Sequence, residues 1–500
     1  MLCASPVTAQ EVTITSAQGN LTLTGRIAGF DGTYLDIESP YGPLSVIYAD
    51  VTCDGAACPD PLTWIPHLRL SGEPRLASLL LPALFEGYAR EAGLTLAQSD
   101  AGDGELSLLM SDATQVTVLR ISLRSSKSAE AFADLLTYDA DVALTFREPL
   151  PAERTRAAEV GITLPGPAGG SIVLGGEALV PIVSPLNPMR TADPAKLIGA
   201  FTGRITDWTD MGQSAAPMTL HLGPDGDGQA DAFLAMLPGT PSARIIRHAD
   251  AEALASAVAA DPAALGITAL NAAGVAQAVG LRDACGLTAA PVLRGIKTHD
   301  YPLTTPAFAF IRSERQPAIV GEFLAWLRSP SAQLIVRRAG LADQGVVPIT
   351  LDDQGERFAH AITIAGRDTS LRDLQGMVAM MHARVRVSLT FRFANGSTTL
   401  DAASAANLRL LAHDIRNGVY AGREVLLIGF SDGEGPAMEN RDLSVARALA
   451  IESALLTLLG DLPDDVRIGT TGFGEALPIG CDDTPWGRQM NRRVEVWVGD

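Results

Sequence analysis

Between residues 66 and 350, short apolar runs alternate with longer amphipathic ones. This alternation constrains the fold more than any other feature of the chain. "ADVALTF" and "EALVPIVSP" have the length of strands, whereas "LASLLLPALFEGYAREAG", "PAKLIGAFTG" and "AIVGEFLAWLRSP" repeat apolar residues at the three-to-four spacing of a helix face. A chain built this way implies an α/β sheet. Its 500 residues exceed what one core organises, so two to four domains are expected.

The flanks read differently. Residues 10–62 alternate apolar and polar positions around turn signals at Asp31-Gly32 and "SPYGP", the pattern of a small antiparallel β module. Residues 351–384 form a polar linker and a helix, "SLRDLQGMVAMMHA". From 385 to 500 the order is strand "RVSLTFRF", helix "ASAANLRLLAHDI", strand "EVLLIGF", helix "NRDLSVARALAIESALLTLL", then strands "RIGTTGFG" and "RRVEVWV", a βαβαββ unit.

A net charge of −19 argues against nucleic acid and anionic lipid as partners, because like charge raises the cost of approach. No apolar run reaches the roughly 18 residues of a membrane span. Residues 1–9 resemble the tail of a secretory signal, so export is expected. Cys53 and Cys58, spaced "CDGAAC", suit a small disulfide loop or a metal knuckle, and the knuckle lacks a second pair nearby. Cys285 and Cys481 are expected as free or buried thiols.

Near the C-terminus an acid and a base stand out. Asp432 follows the carboxyl end of "EVLLIGF", where open α/β sheets tend to present binding groups, and Arg447 lies fifteen residues on, within a helix. Leu443, Ala446, Ala450, Ala454 and Leu458 mark the expected packed face of that helix. Arg447 falls about 40° from Leu443, inside the stripe, and a guanidinium there needs a partner. On residues alone, the two could simply pair with each other.

"GFSDGEGPAMENRDLSVARA", "TGFGEALP" and "GRQMNRRVEVWV" resemble the OmpA-type peptidoglycan-binding domain over about 385–500. The resemblance implies that Asp432 takes the ammonium and Arg447 the carboxylate of diaminopimelate in the stem peptide, with Asn440, Arg493 and Asn395 lining the same groove. Charge-assisted bonds and the planar fork of Arg suit that task. The family's His and Thr before the aspartate are Phe430 and Ser431 here.

"EALVPIVSPLNPMRTADPAKLIGAFTGRITDW", "AALGITAL", "HDYPLTTPAFAFI" and "RRAGLADQGVVPI" together resemble a PstS-like, phosphate-type solute-binding domain over 66–350. The resemblance implies two α/β lobes joined by crossover strands at 178–184 and 301–311, with a cleft closing by hinge motion. In that family an Arg-Ser-Asp-Gly-Ser-Gly-Thr turn opens a helix whose N–H groups and hydroxyls hold the anion. Here the turn reads "GPDGDGQADAF", and the first loop, "SGEPRLAS", brings Glu73. Asp225, Asp227 and Glu73 would repel a phosphate dianion, each by about 4 kcal/mol at 4 Å and an effective dielectric of 20. Arg75 and Arg147 offset part of this, and Arg75, Arg147, Asp225, Gly226, Asp227 and Gly228 are the candidate solute-binding residues. Position twelve of the Asp225–Asp227–Asp231 spacing is Met236, not the Glu of a calcium loop. The seven histidines show no metal-ligand spacing, and no metal or cofactor is expected.

The resulting expectation is an α/β multidomain, non-catalytic protein of the periplasm or cell envelope of a Gram-negative bacterium, associated with the outer membrane. It would bind peptidoglycan and display a solute-binding-like domain for a small-molecule solute or a partner. The alternative is the phosphate-binding component of an ABC uptake system.

Overall fold

A computed structural model describes residues 11–61, 63–102, 104–159, 164, 171–312, 315–366, 369–393 and 400–499. Residues 1–9 and Asn395 lie outside that set.

Residues 11–54 form a five-stranded antiparallel sheet around Val12, Ile14, Leu35 and Ile37, and a Cys53–Cys58 disulfide closes the short loop after its last strand. Strands Glu11–Ser16 and Tyr34–Ser39 bury alternate residues, as a half-exposed sheet requires.

The middle of the chain is two lobes on one continuous eleven-stranded sheet. The crossover strands are Ser171–Val183 and Thr304–Ile311, paired antiparallel at its centre. They overlap the expected spans, the first starting earlier, at Ser171. The lobe that starts the domain has a core of Leu76, Leu84, Phe85 and Phe323, joined by Ile121 from strand Thr117–Ser125. The second lobe has its own core around Leu197, Phe201, Trp208, Phe233 and Leu265.

The C-terminal domain is a five-stranded sheet in the order Pro348–Ile349, Arg384–Arg392, Arg493–Gly499, Glu424–Phe430, Arg467–Gly472. Helices Ala402–Arg416 and Ala437–Leu459 cover one face. The stretch expected as a linker is a second layer instead. Helices Gly355–Ile364 and Leu371–Met381 place Ala361, Leu374, Met377 and Met381 against Leu426, Ile428 and Trp497 on the opposite face. Ser370 caps the second of these helices in a reciprocal box with Asp373. A short helix, Pro485–Asn491, intervenes before the last strand, which the βαβαββ reading omits.

Cys285 and Cys481 are not free thiols. They form a disulfide that ties the second lobe to the C-terminal domain. Among the described residues no helix is long and apolar enough to cross a membrane.

Candidate functional site

Strand Glu424–Phe430 ends at a turn that carries Asp432, and helix Ala437–Leu459 returns beside it. The helix approaches closely because Gly429 and Gly472 face it. A Cβ at either would run into Ser444. The buried face of the helix is therefore Asn440, Ser444, Arg447, Ala448, Ile451, Leu455 and Leu459. This corrects the expected stripe, since Ala446 and Leu458 are exposed.

Among the described residues no hydrogen bond or ion pair joins Asp432 directly to Arg447, although the Asp432 charge acts on it. Asp432 Oδ2 accepts a hydrogen bond from Arg492 at 2.6 Å, and both side chains are largely buried. Arg447 is fully buried and its guanidinium lies 5.5 Å from the centre of the Phe393 ring. Burial, with Arg492 nearby, pulls its pKa down to about 10 against the opposing pull of Asp432, which leaves it charged at neutral pH. Asp482 stands close enough for Asp432 to help burial raise its carboxyl, while its Oδ2 accepts from the Gly433 N–H at 2.8 Å. Asn440 is buried, and its Nδ2 has no hydrogen-bond partner among the described residues.

Arg493 does not join this group. It is fully buried, donates to Glu495 Oε1 at 2.7 Å and to the Leu477 carbonyl at 2.8 Å, and stacks 4.2 Å from the Phe430 ring. The arginine that contacts Asp432 is Arg492. The strand register could have found it, because Phe430 pairs with Arg493 and the next step along the ladder brings Arg492 toward Asp432.

The cleft between the lobes is occupied by side chains of the chain itself. Glu73 Oε1 accepts from the Ser128 N–H at 2.8 Å, the Ser128 hydroxyl at 2.7 Å and the Gly228 N–H at 2.8 Å. Asp227 caps helix Gly228–Ala235 through the Ala230 N–H. Arg75 pairs with Glu177 and donates to Asn271 at 2.9 Å. Arg147 forms a two-pronged pair with Glu153, at 2.7 Å on each prong, and reaches Asp231 at 3.3 Å. Asp225 pairs with Arg247 at 3.1 Å, and its carbonyl accepts from Lys127 at 2.8 Å. Gly226, with φ +79°, lies against Lys127 and Ala129. The candidate solute-binding residues are gathered at one cleft, and both arginines there are committed to carboxylates of the chain.

Two family models match. The OmpA family matches residues 392–492 and the PBP superfamily domain residues 65–331. The probable lipoprotein YiaD of Escherichia coli is 38% identical over 104 residues, 21% of this chain and 45% of its own length. Outer membrane porin F of Pseudomonas aeruginosa is 31% identical over 23% of this chain and 31% of its own. The phosphate-binding protein PstS of Bacillus subtilis is 24% identical over 35% of this chain and 56% of its own. The chain thus spans between about a third and a little over half of these curated relatives. Among solved structures, an ABC-type phosphate transport receptor from Vibrio cholerae is 17% identical over 55% of this chain and 98% of its own, with a TM-score of 0.42.

Proposed function

The chain belongs to the PBP superfamily and carries an OmpA family domain, and from that premise we propose a non-catalytic cell-envelope protein that grips peptidoglycan through its C-terminal domain. The observation that carries this reading is the charge arrangement at the end of strand Glu424–Phe430. Asp432 pairs with Arg492, and its charge acts on both Arg447 and Asp482, so opposite charges stand next to each other, as recognition of a zwitterionic amino acid requires. Asp432 would take the ammonium of diaminopimelate and Arg447 its carboxylate, with Asn440 Nδ2 a further donor. Arg492 would serve as the counter-ion that Asp432 keeps when no ligand is bound. The compartment that fits is the periplasm of a Gram-negative bacterium, close to the outer membrane.

Co-sedimentation with purified peptidoglycan sacculi tests this. The full chain should pellet with sacculi, and the double variant Asp432→Asn with Arg447→Ala should stay in the supernatant. Equal pelleting of the two would overturn the assignment. The alternative, a phosphate-binding component of an uptake system, meets a cleft whose converging donors are already engaged by Glu73.

A further inference from the structure

The two-lobed domain places the start of two helices, Ser128–Leu136 from the first lobe and Gly228–Ala235 from the second, around a single oxygen atom. That atom is Glu73 Oε1, and it receives three hydrogen bonds, two from Ser128 and one from Gly228. Glu73 is only 4% exposed. Backbone N–H groups at helix starts, aimed at one oxygen and shielded from water, form a seat for a carboxyl oxygen. The seat also explains the glycine at 228, where a Cβ would lie 2.9 Å from Glu73 Oε1 and strike the Ser128 hydroxyl.

Around the seat the lobes are joined by further bonds. Lys127 donates to the Asp225 carbonyl, Arg147 pairs with Asp231, and Arg75 donates to Asn271. The C-terminal domain then contacts both lobes. Trp486 packs into the core of the second lobe and donates to the Met236 carbonyl at 2.7 Å. Ala402 and Ala403 pack with Phe132, Phe308 and Phe310 in the first, where the Ala402 N–H also donates to Glu148 at 2.8 Å.

We propose that the ligand of this cleft is Glu73 itself: the domain is a receptor closed on its own carboxylate and works as a rigid unit, not as a carrier that opens and shuts around a solute. The inference rests on the closed cleft and not on the wall-binding reading, so a negative sacculus experiment would leave it standing.

Chemical rescue tests it on the full chain. Glu73→Ala keeps Cβ and removes a fragment the size of acetate. The variant should melt below the wild type, and acetate should raise its melting temperature beyond chloride at equal ionic strength. The wild type and Glu73→Gln, whose seats remain filled, should respond to neither acetate nor inorganic phosphate. A wild-type shift with inorganic phosphate, or a Glu73→Ala variant indifferent to acetate, would overturn the proposal. Should Glu73→Ala not fold, calorimetric titration of the wild type with inorganic phosphate still decides: measurable binding refutes a filled seat, and no binding supports it.

Discussion

Glu73 shows how burial and hydrogen bonding compete at one residue. Burial, and then the neighbouring Asp227, push its carboxyl up to about 7, while the three donors at Ser128 and Gly228 oppose them. Lys127, Asp231 and Arg147 are the other charged groups near the seat. A carboxyl raised above its unfolded value contributes stability that is complete below about 4.5 and is lost as pH rises through about 7. The free energy of unfolding, measured by denaturant titration, should therefore decrease as pH rises from 5 to 8, by at most about 3 kcal/mol from this group. Glu73→Gln should flatten that dependence, and a slope unchanged by the substitution would assign it elsewhere. Gly228→Ala should cost about 1–3 kcal/mol, because its Cβ meets Glu73, Ser128 and the Phe146 N–H together. Denaturant titration of the variant measures it.

At the scale of elements, helix Ala437–Leu459 shows what periodicity can and cannot reveal. Apolar spacing marks the helix and places Arg447 inside, and Arg447 is buried. The same spacing selects Ala446 and Leu458 for the interior, and both are exposed. The true contact is set by backbone approach: Gly429 and Gly472 admit the polar Ser444, and its hydroxyl accepts from the Gly474 N–H at 3.0 Å. Hydrophobicity alone does not register such a contact. The α/β alternation and the place of Asp432 at a strand end were legible because strand ends and periods are local signals, whereas the crossover strands followed only from the family resemblance. Arg492 and the Cys285–Cys481 bond depend on chain segments that meet only in the fold. Gly429→Ala should destabilise the C-terminal domain by about 3 kcal/mol or more, since its Cβ meets a backbone carbonyl that cannot step aside. Ala446→Ser should change stability by less than about 0.5 kcal/mol. Thermal melts of the two variants distinguish a glycine-gated contact from an apolar stripe.

At the scale of the whole molecule, the C-terminal domain braces the two-lobed domain at two separate places. Asp300, in the loop before the second crossover strand, pairs with Arg386 at 2.8 Å and Arg392 at 3.3 Å, and the network continues through Glu495 to Arg357 and Arg493. Burial works against the Asp300 carboxylate, but the guanidiniums of Arg386, Arg357 and Arg392 prevail and hold it at about 2. Breaking such a buried network by removing one partner costs about 3–5 kcal/mol, so the loop is a fixed contact. The second brace joins Cys285 to Cys481 and seats Trp486 beside Phe233. Hydrogen exchange can read this brace separately. In the wild type, the amides of residues 479–481 and the segment around Met236 should exchange slowly, because Ile479 and Gly480 donate to Asn491 and Cys481 donates to Asp283. Replacing Cys285 and Cys481 by Ser and Trp486 by Ala should speed exchange there while strands Glu424–Phe430 and Arg493–Gly499 stay protected. Loss of protection throughout the C-terminal sheet would make the interface part of that domain's own folding unit, and unchanged exchange would mean that this brace holds nothing the other contacts do not.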